Sequence, residues 1–250
     1  MKCQTIITED EYQELLKSKL FTDDKKSLED GTIDHDIVWL NAYDWMAGKL
    51  EEKTGVRPYR WPRWVWIKFE GKEDYFSIGK CLSDSFTIGD FVLLTLDIPE
   101  ERLLLSDFDL WHHPLNGWAA IEDREKDAEF EQWRKDNHLP WFIFDENEVK
   151  DCDENLVKQA RETIIKSWDN IFDLTKENDF SRCKNEEKTI QGVCWEIYPT
   201  DILIAEKYHV DEELVIANKK REGMYPYHED DCCDCKEEHH DEEVIKLKIR

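Results

Sequence analysis

Arg63-Trp64-Val65-Trp66-Ile67-Lys68-Phe69 is the stretch that decides the fold. Aromatic and β-branched residues fill it without Gly or Pro, which suits a pleated, packed surface. Both of its alternating faces are apolar, so this strand belongs in the middle of a sheet. Working outward, Phe91 to Leu96 is a second strong strand, closed by Pro99, and Leu103 to Leu105 is a short third. Cys3 to Ile7 opens the chain as a strand, and Ile190 to Ile197 is a late one.

Helices are predicted around these strands. Thr8 and Glu11 make a capping box that opens a helix through about Lys19, with Tyr12, Leu15, Leu16 and Leu20 on one face. Asp36 to Lys53 carries Leu40, Trp45 and Leu50 and stops before Gly55 and Pro58. Arg124 to Asn137 reads as a charged surface helix, and Glu154 to Trp168 spaces Leu156, Ala160, Ile164 and Trp168 four residues apart. Thr200 is expected to cap one more helix. Asp23 to Asp34 and Asp145 to Asp153 are expected to be polar loops. Strands and helices mix without regular βαβ alternation, so the expected class is α+β: a mostly antiparallel sheet with several packed helices. One main domain is expected over residues 1–220. Residues 221–250 are expected to form an acidic, Cys/His-rich appendage ending in a strand, Val244 to Ile249.

The 250 residues suffice to bury a core without staples. The net charge is −25, from 59 acidic against 34 basic residues. Only nine acids and four bases occur from Tyr225 onward, so most of the excess lies in the body. Direct nucleic-acid binding is disfavoured, because it runs on neutralising phosphates with Lys and Arg. A cationic partner is favoured, or the charge serves solubility alone. No apolar run approaches the ~20 residues that span a bilayer. Met1 to Thr5 lacks the apolar stretch of a signal peptide, so a cytoplasmic location with reduced thiols is expected. Cys3, Cys81, Cys152, Cys183 and Cys194 are scattered and read as small buried hydrophobes.

Four stretches carry candidate chemistry. Cys232-Cys233-Asp234-Cys235 with His239-His240 offers thiolate and imidazole ligands suited to zinc. Adjacent Cys and the absence of paired CxxC knuckles make a solvated acidic tail the competing interpretation. Leu104 to Asn116 gathers Asp107, Asp109, His112 and Asn116 after a strand. Ser106 or Asp107 is placed to cap a helical turn, and Asp107 or Asp109 to orient His112 as a general base. A capped turn with Phe108, Leu110, Trp111 and Leu115 in the core explains the same residues without chemistry. In Thr189 to Ile197, Gln191, Val193, Trp195 and Ile197 share one predicted face, and Gly192, Cys194 and Glu196 the other. Glu196 then needs a partner, a job or an exposed face. Tyr59 to Trp66 interleaves Arg with aromatics, which is either a stacking platform or a core strand with snorkelling Arg. Phosphate loops, GxGxxG, GxSxG and HExxH are absent.

Thr5 to Leu20, Ala42 to Met46, Trp61 to Trp66, Leu104 to Asn116, Lys166 to Asp173 and Ile190 to Glu196 together resemble the bacterial domain-of-unknown-function family 3841, over about residues 1–205. That resemblance implies one domain and no particular activity. The opening strand, capped helix and Lys17-Ser18-Lys19-Leu20 exit are also similar to the start of ADP-ribosyltransferase-like domains. A late strand bearing Gln191 or Glu196 is similar to their closing part. In those enzymes a carboxylate activates the acceptor or orients the ribose, and an Arg or His stands on the first strand, where this chain reads Cys3-Gln4-Thr5.

Two functions follow as expectations. One is an enzyme acting on a nucleotide-like substrate, ADP-ribosyltransferase-like in kind, with Asp107, Asp109, His112 and Asn116 joined by Gln191 or Glu196. The other is a non-enzymatic acidic protein that binds a basic, nucleic-acid-handling partner.

Overall fold

The capping box turns the first strand into the first helix. Thr8 N donates to Glu11 Oε2 at 2.7 Å, and Glu11 N donates to Thr8 Oγ1 at 3.2 Å. β1 (Lys2–Thr8) therefore passes directly into α1 (Glu9–Ser18). The structure, a computed structural model, describes residues 1–18, 23–24, 37–69, 71, 88–121, 123–175 and 188–212. The elements that follow are β2 (Asp23–Asp24), α2 (Ile37–Thr54), β3 (Arg60–Trp61), β4 (Arg63–Lys68) and β5 (Gly89–Asp97). Then come β6 (Leu104–Asp107), α3 (Phe108–Leu115), α4 (Arg124–Asp136), α5 (Glu146–Val149), α6 (Glu154–Ser167), β7 (Ile190–Cys194) and β8 (Ile202–Val210). The class is α+β.

Six strands form one sheet in the order β6-β7-β4-β1-β5-β8, and every neighbouring pair is antiparallel. β4, apolar on both faces in the sequence, lies inside the sheet between β7 and β1. On one face Cys3, Ile7, Val65, Val92, Leu94 and Leu96 close over Leu15 of α1. The other face carries the larger core, where α2, α3 and α6 pack over β4 and β7. That core is aromatic. Tyr43 meets Trp61, Trp64 and Trp111 edge-on at 5.8–6.0 Å, and Trp45 stacks on Phe172 at 5.4 Å. Several of the eleven Trp are thus explained by packing. Cys3 and Cys194 are buried as expected, Cys152 is half-buried, and Cys81 and Cys183 lie outside the described residues.

Four expectations are corrected. No helix begins directly after Thr200. Pro199–Asp201 is a single 3-10 turn, and Ile202 to Val210 then pairs along β5 as an edge strand. Its side chains alternate poorly, so backbone pairing to β5 rather than local pattern makes it a strand. Ile190 to Ile197 is shorter than expected: the strand ends at Cys194, and Ile197 joins the core of Cys194 instead of the face of Val193. Asp23–Asp24 is a strand paired with Arg60–Trp61. The loop from Asp145 holds α5, whose first turn is capped by Asp145 Oδ1 accepting from Asn147 N at 2.8 Å. The appendage at 221–250 lies outside the described residues. Among the described residues, no helix is long and apolar enough to cross a membrane.

Gly117 ends α3 with a φ of 67°. A Cβ there would come within 3.0 Å of both Phe144 and Val38 side chains. Gly117→Ala therefore adds left-handed strain to a close contact, and a loss of about 2 kcal/mol is expected in urea denaturation.

Candidate functional site

Antiparallel pairing aligns side chains from distant parts of the chain into rows, and one row is polar. Gln4 of β1 pairs with Thr95 of β5 on one side and with Trp66 of β4 on the other. Trp66 pairs with Gln191 of β7, and Gln191 with Ser106 of β6. Directly paired residues project to the same face. The row therefore reads hydroxyl, amide, indole, amide, hydroxyl across five adjacent strands. A register shift between Trp66 and Lys68 follows immediately, an irregularity of the kind that re-aims side chains beside sites.

Thr95, Gln4, Gln191 and Ser106 are all buried. Gln4 Nε2 donates to Thr95 Oγ1 at 3.3 Å. Among the described residues, Gln191 Nε2 and Ser106 Oγ, in side chains 3% and 0% exposed, have no hydrogen-bond partner. Each such group costs about 1–3 kcal/mol when left unsatisfied, and therefore asks for an explanation. Half-buried rings stand beside the row. Trp66 lies 4.9 Å from Phe108 and 6.1 Å from Phe69, and the exposed His112 sets its edge against Phe108 at 4.8 Å.

β6 continues from Ser106 to Asp107, which caps α3. Its Oδ1 accepts from Asp109 N at 3.0 Å and from Leu110 N at 3.2 Å. Its Oδ2 lies 3.1 Å from Lys188 Nζ, with both side chains 1% exposed. The pair is at ion-pair distance, yet neither atom has a hydrogen bond of ordinary geometry. Asp107 is thus occupied by the helix and by Lys188. Asp109 lies half-buried in the first turn of α3. His112 Nδ1 donates to the Phe108 carbonyl at 3.1 Å. Asn116 closes the far end of the helix, its Nδ2 donating to the His112 carbonyl at 2.7 Å.

Gln191 and Glu196, alternatives in the sequence, are separated by the length of β7. Glu196 accepts from the Tyr198 hydroxyl, and its carbonyl accepts from Arg102 Nη2 at 2.7 Å. Arg102 also grips Asp201 through two nitrogens, at 2.9 and 3.0 Å, and stacks over the Tyr198 ring. This cluster fastens the 3-10 turn before β8. The structure therefore groups Gln191 with Ser106, next to Asp107, and leaves Glu196 and Asn116 apart from them. Cys232, Cys233, Cys235, His239 and His240, the expected zinc ligands, lie outside the described residues. Among the described residues, no group of three or more His, Cys, Asp or Glu is arranged to hold a metal ion.

Residues 4–203 match the family described as Domain of unknown function (DUF3841). The chain belongs to that family. No curated protein and no solved structure matches it. Its DUF3841 stretches divide into two kinds. Lys166 to Asp173 is a staple: Ser167 Oγ accepts from Ala120 N at 2.8 Å, Asn170 Nδ2 donates to the Ala120 carbonyl at 2.8 Å, and Trp168 Nε1 donates to the Trp118 carbonyl at 2.7 Å. Asp169 adds an ion pair to Lys49 of α2 at 2.8 Å. The stretches at β4, β6 and β7 supply three members of the polar row, Trp66, Ser106 and Gln191, and Gln4 stands one residue before the stretch that opens at Thr5. Gln4 and Lys188 are not among the candidate site residues that the sequence marks, and Trp66 enters there only within the Tyr59 to Trp66 platform. Gln4, like Gln191, is an amide inside a strand that the sequence predicts. Nothing local marks Lys188.

His113, one residue beyond His112, donates from Nδ1 to the Ala119 carbonyl at 2.7 Å. Burial pulls its imidazole below the ordinary value; the Ala119 bond, Asp127 and Asp107 oppose this, while His112 adds to it. The unfolded chain then takes up this proton at higher pH than the folded chain. The stabilisation is complete above the ordinary histidine value of ~6.5 and is lost as pH falls through and below it. Acidification is expected to lower the urea midpoint of the native protein more than that of His113→Asn.

Proposed function

We propose that the chain is an enzyme acting on a nucleotide-like substrate, ADP-ribosyltransferase-like in kind, with NAD as the first candidate. The row of Gln4, Trp66, Gln191 and Ser106 supports this most directly. An indole offers a face on which a planar ring stacks. Primary amides on either side offer donor and acceptor together, the complement of a carboxamide or a base edge. Buried amides also reject ligands that leave them unpaired, so such a floor is selective.

The resemblance to ADP-ribosyltransferase-like domains gains from the same row. Of Cys3-Gln4-Thr5, it is Gln4 that shares a face with Gln191, and so takes the place of the first-strand Arg or His. Gln191 takes the place of the late-strand carboxylate. An amide can hold a ribose hydroxyl but cannot accept a proton. In a transfer, the bond between the nicotinamide nitrogen and ribose C1′ breaks, and its electron pair leaves with nicotinamide. A lone pair of the acceptor forms the new bond to C1′. The acceptor's proton passes to solvent, so a good acceptor is one already nucleophilic without a base.

The test is a titration of the purified chain with NAD, read by tryptophan fluorescence and by chromatography of released nicotinamide. A saturable response is expected, weakened about tenfold or more in Trp66→Ala through loss of stacking. Absence of any saturable response to NAD overturns the proposal. A basic protein that co-elutes at low salt and separates at high salt, with no nucleotide response, would put the acidic binding protein in its place.

A further inference from the structure

A cavity of about 150 Å³ opens beside the C-terminal half of α3, away from the polar row. His113, Trp118, Asp127, Glu131, Arg134 and Trp141 line it. Trp118 and Trp141 are 37% and 50% exposed, with ring centroids 6.5 Å apart. Surface indoles of this exposure beside a cavity are unusual for a residue that normally buries its ring.

The charges of the lining do not cancel. Arg134 is held by both Glu131 oxygens, at 3.2 and 2.6 Å, and its guanidinium carbon sits over the Trp141 ring, 4.8 Å from the centroid. That pair neutralises itself in place. Asp127 is different: among the described residues its carboxylate has no hydrogen bond and no ion pair. Burial pushes the Asp127 carboxyl up, Glu131 pushes it further, and His113 opposes only in part. His113 is kept towards neutrality by its own burial. The cavity therefore holds one uncompensated carboxylate next to two indoles.

We infer that this cavity binds an organic ammonium group, such as the trimethylammonium head of a small molecule or of a modified lysine side chain. Cations are attracted to indole faces, most strongly when partly desolvated, and aromatic walls recognise quaternary ammonium in this way. Asp127 supplies the countercharge. The volume matches a guest of about six heavy atoms, since a 150 Å³ apolar cavity accepts benzene. A bare metal ion fits poorly, because hard cations want about six oxygen ligands and this lining offers far fewer. An anion would meet Asp127. The net charge of −25 raises the concentration of any cation near the surface.

Tetramethylammonium chloride titrated into the full chain tests this, read by tryptophan fluorescence and the His113 imidazole resonance. Sodium chloride controls for ionic strength, and tert-butanol is the neutral isostere. Saturable binding of the cation is expected, without saturation by tert-butanol. Asp127→Asn and Trp118→Ala are each expected to weaken it about tenfold. Asp127 is half-buried and its carboxylate has no hydrogen bond or ion pair among the described residues, so Asp127→Asn is expected to keep the native circular dichroism. Equal response to tert-butanol, unchanged affinity in Asp127→Asn, or no saturable response to tetramethylammonium overturns the site. Choline and a peptide carrying one trimethylated lysine, titrated in parallel, distinguish a free cation from one borne on a protein. Tighter binding of either identifies the source, and failure of both overturns the site.

Discussion

Lys188→Met is expected to destabilise the protein by about 3–5 kcal/mol, the cost typical of breaking a buried ion pair from one side. Asp107 and Lys188 are both 1% exposed, so the remaining carboxylate has no route to water without local opening. The loss falls on two elements at once. Asp107 also caps α3, so its distress is felt in the first turn of that helix. Lys188 stands just before β7, and the Thr189 carbonyl accepts from Phe108 N at 3.0 Å. Asp107→Asn keeps a capping oxygen but leaves the ammonium uncompensated, so a loss of similar size is expected. The double variant removes both charges. Its stability is expected to return to within about 1–2 kcal/mol of the native protein, as when a buried pair is replaced by neutral residues of like volume. Urea denaturation of the four proteins closes the cycle. Additive losses in the double variant would show that the two charges do not depend on each other.

Gln191→Leu is expected to do the opposite in the free protein. The Gln191 amide nitrogen is buried without a partner among the described residues, and leucine fills similar space with no polar atom. Stability is expected to rise by about 1–2 kcal/mol, the burden of an unsatisfied amide. Binding of NAD is expected to fall by about 10–100-fold, the worth of one buried hydrogen bond to a ligand. A residue whose removal strengthens the fold and weakens binding is retained for the ligand. Denaturation together with the NAD titration reads both effects. Lost stability with unchanged NAD affinity would make Gln191 a packing residue and remove the row from the proposed site.

The sequence was informative where the deciding interactions are short. Thr8 with Glu11, and Asp107 with Asp109 and Leu110, close their hydrogen bonds within four residues, and both caps are legible as strings. The central place of β4 was legible too, because a strand covered on both sides is apolar on both faces. β8 was not legible, because Ile202 to Val210 lacks a clean alternation and takes its form from β5. The general-base grouping around His112 was legible only as neighbours in sequence. In the fold Asp107 is committed to the helix and to Lys188, while His112 Nδ1 is committed to a backbone carbonyl.

By itself, then, the sequence determined the class, the central strand, most helices, the caps at Thr8 and Asp107, and a strong net negative charge. Those follow from periodicity, local hydrogen bonding and composition, which act over a few residues or over the whole chain at once. Only the tertiary structure decided that Gln4, Trp66, Gln191 and Ser106 share a row, that Glu196 stands apart from it, and that Lys188 answers Asp107. Strand order and register bring those residues together, and both are settled by burial and pairing between segments remote in the chain. A side chain's neighbours across a sheet leave no mark on the residues beside it in sequence.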